Sequence, residues 1–151
     1  ICPSRGLGDV YKRQEKKITR GAEFIIKQTD CKDVFTPEDF TDEQKMMKEA
    51  VHDFAEKEIW SKKSEFEKHN YDLTFDVIKK AGELGFLGIG VPEEYGGLGM
   101  SFTSSMLVCD YISGSSGSTS TAYGAHTGIG TFPILLYGNE EQKKKYVPKL
   151  A

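Results

Sequence analysis

From Met46 onward the apolar positions recur at spacings of three and four. Met46, Met47, Ala50, Val51, Phe54 and Ala55 form one stripe, with charged residues between them. That period puts them on a single face of an α-helix, turned inward, while the charged positions stay in water. The helix start is marked by Thr41-Asp42-Glu43-Gln44. A threonine side chain there can accept from the third helical N–H while the glutamine reaches back, which is the pattern of a capping box. Acidic residues in the same turn sit where the helix dipole favours them. A second stripe, Phe75, Ile78, Ala81 and Leu84, predicts a helix over Thr74 to Leu84, with Gly85 as its left-handed C-terminal residue. A third helix is predicted over Phe102 to Ser113, where Met106, Leu107, Cys109, Asp110 and Tyr111 give mixed faces. The last opens at Asn139-Glu140-Glu141-Gln142, a second cap with Gln three positions on, and Pro148 limits its length.

Three stretches lack such a period. Residues Glu15 to Asp39 include the turn-like Thr36-Pro37-Glu38-Asp39-Phe40, and predict a lead-in arm with a short helical piece around Ala22 to Ile26. GIGVPEEYGGLGM holds five glycines and a proline, which disfavour regular structure. SGSSGSTSTAYGAHTGIG is rich in Ser, Thr and Gly, and propensity alone makes it a flexible linker. Convincing strand-like alternation is absent throughout. The expected fold is an all-α helical bundle.

Composition narrows the classes. A chain of 151 residues suits one compact domain, and 38% apolar with 28% charged residues is a globular balance. No apolar run approaches the ~20 residues of a bilayer span, so no transmembrane segment is expected. A net charge of −3 gives no electrostatic case for nucleic acid. Cys2, Cys31 and Cys109 are too few and too scattered for a disulfide framework or a cysteine-based zinc site, and a reducing interior is the natural compartment. Ser4 to Gln14, SRGLGDVYKRQ, resembles a translated sequencing adapter, and the chain opens at Ile1. Residues 1–14 are therefore expected to be a cloning or assembly scar. Without Arg5, Asp9, Lys12 and Arg13, 17 basic and 22 acidic residues remain, a net charge of −5.

Gly90, Gly96, Gly97 and Gly99 could cradle a phosphate through backbone N–H groups. Their spacing fits neither the dinucleotide nor the P-loop pattern, and no strand precedes them, which favours a tight connection between packed helices. Glu93 and Glu94 invite a general-base reading, but neighbouring loop carboxylates are usually solvated. His52, His69 and His126 have no metal-ligand spacing, so no metal is expected. His126 reads as a hydrogen-bonded packing residue, His52 as part of a solvated helix face, and His69 as a loop residue. Lys143, Lys144 and Lys145 could hold a phosphate or an acidic partner, though a solvated helix end accounts for them.

PEEYGGLGM and PILLYGNEEQKKKYVPKLA together make Phe40 to Ala151 resemble the N-terminal helical domain of the acyl-CoA dehydrogenases. The resemblance implies an FAD-dependent flavoprotein that oxidises fatty acyl-CoA to trans-2-enoyl-CoA in fatty-acid β-oxidation. In that family the catalytic glutamate comes from a C-terminal helical domain, and a middle β-domain grips the flavin. Both are expected to be absent here, so no catalytic and no cofactor-binding residue is expected, and the fragment alone is expected to be inactive. The family's matching helix lines the base of the acyl-chain cavity, which makes Ala122, Tyr123, Gly124, Ala125, Gly128 and Ile129 the candidate substrate contacts. It also turns the second half of the apparent linker into a packed helix.

Small residues at Gly124, Ala125 and Gly128 resemble the long-chain and very-long-chain members, since each methylene that finds a buried place contributes ~0.8 kcal/mol. Alternatively, these glycines let two helices approach closely. Implied partners are the fatty acyl-CoA substrate, an electron-transferring flavoprotein that docks on this domain, and further copies in a homo-oligomer. The compartment would be the cytoplasm in a bacterium or the mitochondrial matrix in a eukaryote. An acyl-CoA oxidase shares the domain, and a stand-alone, non-catalytic helical binding module is the other alternative.

Overall fold

The computed structural model describes Thr19 and residues 21–151, so the adapter-like segment Ser4 to Gln14 lies outside the described residues. The chain divides into two units at Thr41/Asp42. In the first, α1 (Glu23–Ile26) is a single turn, within the stretch expected to be helical. Asp30 and Thr36 each cap a short 3-10 turn. At the second, the Thr36 N–H donates to Asp39 Oδ2 at 3.0 Å, completing a capping box with Pro37 at the first position.

The second unit opens with α2 (Asp42–Phe54), which runs through a wide π-helical turn, Ala55–Ile59, and a 3-10 turn, Trp60–Lys62, into α3 (Lys63–Glu67). Val51, Phe54 and Ala55 of the predicted stripe are buried, as is Ile59 at the end of the π-helical turn. Met46 and Ala50, from the same predicted stripe, are exposed. The polar Gln44 is buried in their place, donating from Nε2 to Ser101 Oγ at 3.4 Å. α4 (Tyr71–Glu83) begins three residues before the expected Thr74, because Asn70 caps it by accepting from the Leu73 N–H at 3.1 Å. Its buried residues are Val77 and Ala81, while Phe75 and Leu84 of the predicted stripe are exposed. Two residues advance a helix by about 200°, so a helix that buries Val77 turns Phe75 outward. Gly85 does close the helix with φ of +78°.

The glycine-rich connection folds on itself. The N–H groups of Leu98, Gly99 and Met100 donate to the carbonyls of Gly88, Val91 and Ile89 at 2.9, 2.8 and 2.8 Å. A Cβ on Gly97 would collide with the Val91 and Gly88 carbonyl oxygens, so this contact admits glycine alone. Tyr95 then ties the loop to the next helices, its hydroxyl donating to Glu140 Oε2 at 2.9 Å.

α5 (Phe102–Ser115), capped by Ser101, extends two residues past the expected end. After it come α6 (Gly117–Gly124), a second π-helical stretch, Ala125–Thr131, and α7 (Phe132–Tyr137). The linker that propensity predicted is therefore helical. Its weak formers are held by burial of Thr119 and Tyr123 and by hydroxyls bonded back to the chain, such as Thr121 to the Gly117 carbonyl at 3.0 Å. α8 (Glu140–Tyr146) starts at the expected capping box, with both Asn139–Gln142 bonds at 2.9 Å.

The main core gathers Val51, Phe54, Ile59, Val77, Phe86, Val108, Ile112 and Tyr123, with Phe54 edge-on to Phe86 at 5.4 Å. Full burial of side chains of this size contributes about 1.5–3 kcal/mol each. Val91, Tyr95 and Val147 form a second, smaller cluster. Among the described residues every regular element is helical. The all-α expectation holds.

Candidate functional site

The helix from Gly117 to Tyr137 carries all six candidate contacts, and they do not share one face. Tyr123 is 3% exposed and belongs to the core, whereas Ala125 and Ile129 are exposed, the latter at 80%. Ala122, Gly124 and Gly128 lie between, half-buried. Tyr123 donates its hydroxyl to the Phe86 carbonyl at 2.9 Å. Burial, with Cys109 nearby, pushes its phenol well above the ordinary tyrosine range, so it stays a neutral donor. Losing that donor would strand a buried carbonyl at about 1–3 kcal/mol. Tyr123 thus fixes the helix to Phe86, just ahead of the glycine-rich loop.

A π-helical stretch shifts backbone pairing from four residues to five, which leaves neighbouring carbonyls in need of partners. Hydroxyls supply them here. Thr127 donates to the Tyr123 carbonyl at 2.9 Å, and Thr131 to the His126 carbonyl at 2.9 Å. His126 Nε2 lies 2.7 Å from the Leu150 carbonyl oxygen. A carbonyl only accepts, so Nε2 carries the hydrogen and His126 is the packing residue its context suggested.

The outer side of the helix is open. Among the described residues a Cβ built on Gly124 or Gly128 would meet nothing within 4 Å, so neither glycine makes a close helix approach within this domain. On the inner side, a hollow of about 40 Å³ lies behind Tyr123 and Thr127, against Ile89 and Ser105. The roomy side is therefore the outer one, bounded by Gly124, Ala125, Gly128 and Ile129.

Glu93 and Glu94 are exposed, as solvated loop carboxylates should be. The N–H groups of Gly96, Gly97 and Gly99 donate to carbonyls of the loop itself, and Gly97 is packed against backbone. Those three N–H groups are therefore turned inward, in keeping with a tight connection between packed helices. The described residues include no group of three His, Cys, Asp or Glu able to hold a metal ion. None of the described helices is long and apolar enough to cross a membrane.

One feature went unread in the sequence. Met46, Met47, Ala50, Leu84, Leu98 and Met100 line an apolar groove of about 590 Å³. Its signal was a predicted stripe on α2 wider than the core could cover, together with a second stripe ending in the exposed Leu84.

Residues 41–151 match the family described as acyl-CoA dehydrogenase, N-terminal domain. The chain belongs to that family. A probable acyl-CoA dehydrogenase of Bacillus subtilis is 46% identical over 134 residues, covering 89% of this chain and 22% of the relative. The mitochondrial isovaleryl-CoA dehydrogenase of Solanum tuberosum is 40% identical over 112 residues, covering 74% of this chain and 27% of that one. The crystal structure of a Bacillus anthracis acyl-CoA dehydrogenase complexed with FAD superposes with a TM-score of 0.79 at 45% identity, covering 88% of this chain and 22% of that chain. The chain thus spans about a quarter of the length of these relatives.

Proposed function

We propose that this chain acts as the N-terminal domain of an FAD-dependent acyl-CoA dehydrogenase, which oxidises a fatty acyl-CoA to the trans-2-enoyl form in fatty-acid β-oxidation. Its own task is to form one wall of the acyl-chain pocket with Ala122, Gly124, Ala125, Gly128 and Ile129, while Tyr123 backs that wall from the core. The observation carrying this reading is the open volume beside Gly124 and Gly128 on a helix whose other face is firmly packed. Small side chains there leave depth for methylenes, which favours a long-chain or very-long-chain substrate. In this reading flavin binding and proton abstraction are the work of other domains of the full-length enzyme.

The groove of Met46, Met47, Leu84 and Met100 is the proposed docking surface for an electron-transferring flavoprotein. Flexible methionines suit a surface that receives an apolar side chain from a partner.

The test is a chain-length profile of kcat/KM in the full-length flavoprotein that carries this domain, for wild type and Gly128→Leu. A pocket-wall role predicts a loss of at least about tenfold for the longest acyl-CoA, with short substrates spared. Equal losses at every length would refute the wall assignment. A wild-type optimum at short branched acyl-CoA would refute the long-chain assignment. With Leu84→Glu, turnover should persist with an artificial acceptor and fall with electron-transferring flavoprotein; equal rates with both would remove the groove from electron transfer.

A further inference from the structure

A second hollow lies between the continuation of α2 and α5, remote in chemistry from the acyl wall. It has a volume of about 340 Å³ and is lined by His52, Glu56, Trp60, Asp110, Tyr111 and Ser115. Trp60 is the only tryptophan in the chain and is 51% exposed, a large aromatic surface left in water. Tyr111 stands edge-on to His52, with ring centroids 5.6 Å apart and planes at 80°. Glu56 and Asp110 reach the same hollow from different helices.

Several carboxylates in this unit already have cations. Glu58 holds Lys62 at 2.7 Å and Lys80 at 2.6 Å, and Glu65 holds Lys68 at 2.7 Å. Glu56 and Asp110 form no such ion pair among the described residues, and both line the hollow together with Trp60 and Tyr111. The imidazole of His52, which also lines it, lies 4.0 Å from Asp53. The indole also shows what it attracts, because Lys63 Nζ sits 5.1 Å from the centroid of the Trp60 ring. That is within the ~6 Å over which a cation is drawn to an aromatic face.

We propose that this hollow is a binding site for the guanidinium group of an arginine side chain presented by a partner polypeptide. Aromatic walls with two carboxylates that form no ion pair among the described residues disfavour an anion even with Lys63 nearby, and an apolar group would strip water from the carboxylates without compensation. Among cations, a planar guanidinium both stacks on aromatic rings and presents five donors to separate carboxylates. An ammonium is more strongly hydrated and offers no flat face. The site draws on neither the acyl pocket nor the apolar groove, so it stands independently of the acyl-CoA dehydrogenase reading.

Trp60 makes the test direct, since it is the one tryptophan among residues 1–151 and lines the hollow. The probe is Nα-acetyl-L-arginine amide, titrated at constant ionic strength. Nα-acetyl-L-citrulline amide, of nearly the same shape but neutral, is the control. The expected result is a saturable change with the arginine probe in the millimolar range and none with citrulline. Glu56→Gln with Asp110→Asn should weaken binding at least fivefold, whereas Glu93→Gln with Glu94→Gln should leave it unchanged. These are surface replacements of similar volume, and far-UV circular dichroism identifies any variant that fails to fold. A linear response, an equal response to citrulline, or undiminished binding in the Glu56/Asp110 variant would overturn the proposal.

Discussion

Replacing both Gly124 and Gly128 with alanine should make the domain more stable. Gly124 has φ −65° and ψ −36°, an ordinary right-handed helical conformation, and Gly128 is not among the positive-φ residues. A methyl group at either site would meet nothing within 4 Å. The substitution therefore brings no clash and no strain, while reducing the freedom that the unfolded chain must give up. Each replacement of this kind stabilises by about 0.4–1 kcal/mol, so the pair should contribute about 1–2 kcal/mol. At roughly 4 °C per kcal/mol for a domain of this size, Tm should rise by roughly 4–8 °C. Urea and thermal unfolding followed by far-UV circular dichroism would read it, with an unchanged denaturant slope showing that only stability moved. A lower midpoint in the double variant would refute the reasoning, because it would mean that the two glycines are needed for packing. A rise would show that the folded chain forgoes available stability to keep this face small, which is the behaviour expected of a ligand wall.

The opposite outcome is expected at Gly97, where a methyl group would press on two backbone carbonyls that cannot turn aside. Gly97→Ala should cost about 3 kcal/mol, read as a lower urea midpoint, and near-wild-type stability would mean the loop relaxes freely. Glu58 is held below the ordinary glutamate value of 4.5, first by its hydrogen bond from Lys62 and then by that from Lys80. A carboxyl whose folded value is depressed contributes stability above its unfolded value, and that contribution disappears as pH falls through the folded one. Stability measured from pH 7 down to pH 3 should consequently fall less steeply below about pH 4.5 in Glu58→Gln than in wild type; parallel curves would show that the cluster is energetically silent.

Local chemistry was legible in the sequence, and tertiary placement was not. Asn139 with Gln142, and Gly85 after α4, act through atoms a few residues apart, so their roles followed from the sequence and the structure has them in place. The phase of α4 depended on which side met the core, and Phe75 drew the predicted stripe towards solvent. Residues 117–124 carry the composition of a linker, and their helix exists because Thr119 and Tyr123 are buried against distant elements. The apolar groove combines residues near positions 46, 84 and 100, a juxtaposition that no local pattern encodes. Of the candidate wall, the small residues were legible, but the separation of Tyr123 from Ala125 and Ile129 required the helix to be placed.

The widened stretch Ala125–Thr131 also acts as a gear between two cores. Tyr123 upstream faces the main cluster, while Ile134 and Leu135 downstream pack on the smaller one. Eleven residues of regular α-helix return almost to the starting direction, a net turn of only about 20°. Five-residue pairing takes in additional residues and retards that rotation, so one continuous rod can address two differently oriented partners. The same retardation makes length, rather than side-chain identity, the sensitive variable. Inserting a single regular helical residue after Thr131 would turn Ile134 by about 100° relative to Tyr123 and carry it off its cluster.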